Sequence, residues 1–210
     1  MTFLIMPYKK LYGEDTKDAV TLARYLKADY KVVEISSLVD GYYKLIKDKR
    51  PDQIRRGNKI ARERMSILYD FSKKLNSLVV GTSNRTELLL GYGTIYGDLG
   101  CAFMPLAGLF KTQVYQLAKF LGIPEKILKK VPSARLWIGQ TDEGELGISY
   151  EKVDRLLYLM IDKKLPFTEI TKMGFSEKII KRIDSRIFRN IFKLRLPPVA
   201  ILPPDTFIKN

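Results

Sequence analysis

The stretch SLVVGTSNRTELLLGYGTIYGDLG, Ser77 to Gly100, decides the fold. Ser77 to Gly81 is a short apolar run bounded by turn residues, the pattern of a strand buried in a parallel sheet. It ends at a carboxyl edge, where open parallel sheets bind ligands. Thr82 and Ser83 follow at once, hydroxyls expected to cap the next helix or to bind phosphate. Glu87 lies just before Leu88, Leu89 and Leu90. A carboxylate at that place suits Mg²⁺, which needs only one or two carboxylates beside substrate phosphates. Glycines at 91, 93, 97 and 100 make a loop that a ligand can approach closely, with Asp98 inside it and Lys111 opening the next helix.

Working outward, short strands alternate with longer helices. Phe3 to Met6 reads as a strand, Asp15 to Leu26 as a helix with acidic residues in its first turn, Tyr30 to Ile35 as a strand, and Ser36 to Leu45 as a short helix. Pro51 precedes a long helix over Asp52 to Leu75. This alternation predicts an α/β fold, a doubly wound parallel sheet. After Phe110 the pattern turns helical, at Lys111 to Leu121, Tyr150 to Ile161 and Ser176 to Leu194. Residues 1–198 are expected to form one domain with a helical C-terminal part, and residues 199–210 an irregular tail. On the long helix, Arg64 falls inside the stripe of Ile60, Ala61, Met65, Ile67, Leu68 and Phe71, at ~100° per residue. An arginine there either snorkels at the rim or answers an anion. Asn58 and Arg62 line one edge of the same stripe.

Composition narrows the chemistry. The chain has 210 residues, 37 basic and 23 acidic side chains, a formal charge of +14, one cysteine and no histidine. Cys101 alone excludes an intramolecular disulfide framework, and the lack of histidine excludes Ser-His-Asp or Cys-His catalysis and His-ligated metals. Carboxylates, lysines, arginines, hydroxyls and bound ions carry any reaction. The basic residues are spread along the chain, which favours solvated helix faces over a nucleic-acid surface. No apolar stretch reaches membrane-spanning length, and a cytoplasmic protein without a membrane partner is expected.

Five segments together resemble one family: GNKIARERM (Gly57 to Met65), GTSNRTELLLGYGTIYGD from Gly81, PLAGLFKTQVYQLAKFLGIPEKI (Pro105 to Ile127), PSARLWIGQTDEGELGISY (Pro132 to Tyr150) and KLRLPP (Lys193 to Pro198). They are similar to the ammonia-dependent NAD⁺ synthetases, especially the archaeal branch, from Phe3 to about Pro198. The resemblance implies the fold of the N-type ATP pyrophosphatases, in the adenine nucleotide alpha hydrolase-like group, and a homodimer across the long helix. It implies adenylation of the nicotinate carboxylate of deamido-NAD by ATP with Mg²⁺, then displacement of AMP by ammonia. It assigns Thr82, Ser133 and Lys111 to ATP, Glu87 to the metal, and Asn58, Arg62, Arg64, Asp98 and Lys193 to deamido-NAD. Asp98 and Lys111 are the expected catalytic residues.

Four positions depart from the family's pattern. Its phosphate loop SGG-x-DS is absent, so the chain begins at what would be the second strand, and a βα unit of roughly 30 residues is expected before it. Ile95 stands where the family has lysine, Ala102 where it has aspartate, and Phe192 where its terminal pair has histidine. A second reading therefore stays open: a truncated or diverged homologue acting on another substrate, or a catalytically silent binding or partner subunit.

Overall fold

The structure is a computed structural model and describes residues 1–9, 13–137 and 139–201. β1 (Thr2–Ile5) and β2 (Asp29–Val32) pair in parallel, from Thr2 opposite Asp29 to Ile5 opposite Val32, with α1 (Gly13–Tyr25) crossing between them. The ladder runs on beyond both strands, Val33 N–H donating to Ile5 O at 2.8 Å and Ile35 N–H to Pro7 O at 3.0 Å. α2 (Ser36–Leu45) has the bounds that the sequence predicts, and α3 (Gln53–Lys74) is one residue shorter at each end. Asp52 caps α3, its Oδ1 accepting Arg55 N–H at 2.8 Å. Of the apolar stripe of α3, Ile60 joins Tyr8, Ile35, Val39 and Tyr43 in one core and Ile67 packs against it, while Met65 and Leu68 line a cleft. Half-buried Arg64 donates from Nε to Met6 O at 3.1 Å, pinning α3 to the end of β1.

The expected third strand, Ser77 to Gly81, shrinks to one isolated parallel bridge between Val80 and Phe103. Ala102 N–H donates to Val79 O at 2.9 Å and Gly81 N–H to Phe103 O at 2.8 Å. A strand needs a run of such bonds, and here the chain turns away after one residue pair. Among the described residues β1 pairs with β2 alone and Val79–Gly81 with the Phe103 segment alone, and no ladder bond joins the two pieces of sheet. Met6 and Val79–Gly81 instead face a common cleft.

The C-terminal half is helical: α4 (Arg85–Leu89), α5 (Lys111–Phe120), α6 (Glu125–Leu128), α7 (Asp142–Leu146), α8 (Tyr150–Leu157), α9 (Phe167–Lys172) and α10 (Glu177–Asn190). α8 continues as a π turn over Tyr158–Asp162, and α10 ends in a 3₁₀ turn over Ile191–Leu194. α6, α7 and α9 have four to six residues each, too few to show a period in the sequence. A second core of Leu90, Leu146, Val153, Leu156, Leu157, Ile170, Ile180 and Ile183 binds these helices together. No helix of the described residues is long and apolar enough to cross a membrane. Of the expected tail, residues 202–210 lie outside the described residues.

Candidate functional site

A cleft of about 590 Å³ opens at the carboxyl end of Val79–Gly81. Its floor is set by the turn into α4. Asn84, and not Thr82 or Ser83, caps this helix: Asn84 Oδ1 accepts Glu87 N–H at 3.1 Å, and Glu87 Oε2 accepts Asn84 N–H at 3.1 Å. That reciprocal pair is a capping box, and it corrects the expected cap by one or two residues. Ser83 is thereby buried, while Thr82 stays exposed on the cleft wall.

The capping box consumes one oxygen of Glu87 and aims the other. Glu87 Oε1 receives Lys111 Nζ at 3.0 Å, with the two side chains only 16% and 20% exposed. Lys111 is the first residue of α5, and its backbone N–H donates to Thr86 Oγ1 at 2.9 Å. Asp154 of α8 accepts the Thr86 hydroxyl and, at 2.8 Å, Thr112 N–H.

The glycine loop forms a second wall. Thr94 donates from Oγ1 to Asn58 Oδ1 at 2.8 Å and from its N–H to Asp98 Oδ1 at 2.8 Å. Gly91 has φ +61, and a Cβ there would overlap Asn190 Cβ, so the turn needs glycine. Lys193 reaches in from the 3₁₀ turn and donates from Nζ to Gly91 O at 2.8 Å and Gly93 O at 3.1 Å. Burial, with Arg186 nearby, lowers the Lys193 ammonium from its ordinary pKa, against a smaller opposing pull from Asp98.

A third wall was not foreseen. Tyr150 donates its hydroxyl to Asp142 Oδ2 at 2.8 Å, and Gln140 donates from Nε2 to Glu145 Oε1 at 2.8 Å. Burial and then the Asp142 charge push the phenols of Tyr92 and Tyr150 above their usual range, so both stay protonated donors. Asp142 is 4% exposed, and among the described residues its Oδ1 has no hydrogen-bond partner. The sequence held a usable signal for α8: Asp154 falls at about 40° from Tyr150, at the edge of the face that carries Val153, Leu156 and Leu157, at ~100° per residue. A carboxylate at the edge of an apolar stripe needs donors, as an arginine there needs acceptors.

Of the nine expected site residues, eight line the cleft: Asn58, Arg64, Thr82, Glu87, Asp98, Lys111, Ser133 and Lys193. Ser133 donates its hydroxyl to Gln140 O at 2.7 Å and accepts Arg135 N–H at 3.1 Å, so its loop closes on itself. The ninth, Arg62, lies exposed on α3 away from the cleft, with Nε 3.4 Å from Ile95 O. Among the described residues no group of three carboxylates, cysteines or histidines could hold a metal unaided. Glu87 can still serve Mg²⁺, because that ion takes most of its ligands from phosphate and water.

Residues 1–197 match the family described as NAD synthase. The chain is 45% identical over 199 residues to an NH(3)-dependent NAD(+) synthetase of Trichlorobacter lovleyi, covering 94% of this chain and 71% of that protein. An NMN synthetase from Francisella tularensis superposes with TM-score 0.81 at 33% identity, covering 97% of this chain and 78% of that one. The NH3-dependent NAD synthetase from Campylobacter jejuni, solved with nitrate, gives TM-score 0.78 at 36% identity over 95% and 77%. These likenesses run through the α4 turn, the glycine loop and the C-terminal helices alike, and on them the chain belongs to the NAD synthase family, with its adenine nucleotide alpha hydrolase-like fold.

Proposed function

We propose that the chain is an ammonia-dependent NAD⁺ synthetase. A carboxylate oxygen of the nicotinate in deamido-NAD attacks the α-phosphorus of ATP, and pyrophosphate leaves with the electrons of the broken P–O bond. The nitrogen of ammonia then attacks the acyl carbon, AMP leaves, and one proton is lost. The single observation that carries this reading is the half-buried Glu87–Lys111 pair, set in the same cleft as Asn58, Asp98 and Lys193.

Adenylation brings a carboxylate against a polyphosphate, so fixed positive charge and donors must offset repulsion. Lys111 holds the ATP phosphates, releasing Glu87 as it does so. Thr82 donates its hydroxyl to ATP, and Ser133 does so once ATP displaces its bond to Gln140 O. Asn58 and Lys193 hold deamido-NAD around the glycine loop, with Arg64 at the Met6 side of the cleft. Asp98, exposed at the cleft mouth, accepts the proton that ammonia gives up. Mg²⁺, held by Glu87 and substrate phosphates, would neutralise the departing pyrophosphate. Arg62, outside the cleft, would reach deamido-NAD only across a second copy packed on α3, a state that sedimentation reads directly.

A second reading follows from the Francisella likeness and from Ile95 and Ala102: the deamido mononucleotide in place of the dinucleotide. Exchange of labelled pyrophosphate into ATP without ammonia isolates the adenylation step. Exchange supported by deamido-NAD favours the first reading, and exchange supported only by the mononucleotide favours the second. Absence of exchange with either would refute both.

A further inference from the structure

Asp154 makes no contact with the cleft, yet two of the cleft's elements meet on it. It sits on α8, is 4% exposed, and has no cationic side chain hydrogen-bonded to it among the described residues. Its Oδ1 accepts the Thr86 hydroxyl from α4, and its Oδ2 accepts Thr112 N–H from the first turn of α5 at 2.8 Å. Thr86 is itself fully buried and passes the link on, its Oγ1 accepting Lys111 N–H at 2.9 Å. Thr86 precedes Glu87, and Thr112 follows Lys111.

We propose that Asp154 is the positioning residue of the Glu87–Lys111 pair, a buried carboxylate whose hydrogen bonds to Thr86 and Thr112 set the separation of α4 and α5 and so where Glu87 and Lys111 stand when ATP arrives. A buried carboxylate is costly unless donors surround it. Here those donors are the free amide at the N-terminus of α5 and a hydroxyl, and the positive end of the helix dipole adds to them. The charge that stabilises the start of α5 therefore also fixes the separation of α4 and α5. Thr86 divides its hydroxyl between them, donating to Asp154 and accepting from Lys111. A neutral amide at 154 carries no charge and a single acceptor oxygen, so it cannot accept from Thr86 and Thr112 on separate oxygens as the carboxylate does. This role rests on the amidation reading for its effect on catalysis, but not for its effect on the ion pair.

The test separates those two dependencies. Lysine acetylation in the full chain is followed residue by residue by mass spectrometry, for the parent chain and for Asp154→Asn, Thr86→Val and Thr86→Ser. Lys126 and Lys172, with side chains 70% and 72% exposed, serve as internal references. Asp154→Asn and Thr86→Val are expected to speed Lys111 labelling about tenfold against those references, the size expected when a charge-assisted hydrogen bond is lost. Thr86→Ser, which keeps the hydroxyl, is expected to label like the parent. In turnover, KM for ATP rises about tenfold in the first two variants while KM for deamido-NAD stays put. Unchanged Lys111 labelling in a folded Asp154→Asn or Thr86→Val chain would overturn the proposal. Thr86→Val keeps the side-chain volume, so it decides the matter should Asp154→Asn fail to fold. If ATP–Mg²⁺ does not protect Lys111 in the parent chain, the amidation reading falls, and the labelling ratios still decide the clamp.

Discussion

Replacing Gly81 with alanine tests how closely the turn into the site is packed. Gly81 ends the bridged segment and precedes Thr82, with its N–H bonded to Phe103 O at 2.8 Å. A Cβ there would overlap Cys101 Sγ and lie 2.9 Å from Met104 Cγ and 3.1 Å from Cys101 Cβ. The Cys101 segment is held at Ala102 N–H, bonded to Val79 O at 2.9 Å, so it cannot move off without loosening the bridge. Overpacking of this kind costs about 1–3 kcal/mol. At about 2–4 °C per kcal/mol for a chain of this size, Gly81→Ala should melt roughly 2–12 °C lower. Removing the sulfur by Cys101→Ala relieves the worst overlap but leaves the Met104 contact. The double variant should therefore recover on the order of 1 kcal/mol relative to the sum of the singles. Urea titrations of the four chains measure that coupling. A neutral Gly81→Ala, or singles that simply add, would refute this account of the turn.

Gly91→Ala should be more costly still, about 2–5 kcal/mol, because it adds left-handed backbone strain to an overlap with Asn190 Cβ. Asn190→Ala, which keeps that Cβ, should not rescue it in the same denaturation assay. Acid stability should depend on Asp18, whose carboxyl Lys126 and then Lys130 hold below the usual carboxylate range. Its folded pKa lies below its unfolded value, so unfolding takes up a proton in acid. The contribution is present above about pH 4 and is lost as pH falls through the folded pKa. Asp18→Asn should flatten the fall of melting temperature below about pH 4, and an unchanged slope would contradict this.

The long elements were legible because each carried its own boundary chemistry. Asp52 after Pro51 marks the start of α3, and the stripe around Ile60 gives its buried face, whereas the acceptor of the half-buried Arg64, the backbone Met6 O and not an anion, was not in the pattern. Most of the site was legible too, since Thr82, Glu87, Asp98 and Lys111 lie in one continuous run after an apolar segment and meet in one cleft. The capping residue was misplaced because Thr82, Ser83 and Asn84 are all good caps, and only the reciprocal bonds with Glu87 select Asn84. The strand at Ser77 to Gly81 was overread because an apolar run does not fix burial or strand length: Leu78 is 70% and Val80 45% exposed, and only one residue pair finds a partner. Asp142 and Asp154 were missed because their donors come from residues 8 to 68 positions away. The partners themselves leave no local pattern, although the place of Asp154 beside the buried face of α8 does.

The amidation account is tested most directly by supplying the 210-residue chain with deamido-NAD, ATP–Mg²⁺ and ammonium and measuring NAD⁺, AMP and pyrophosphate together. The account predicts the three products in equal amounts, with the rate reduced about 10²–10³-fold by Glu87→Ala, the loss typical of removing one fixed electrostatic partner of the transition state. A folded chain that forms no NAD⁺, or one whose rate survives Glu87→Ala, would contradict it.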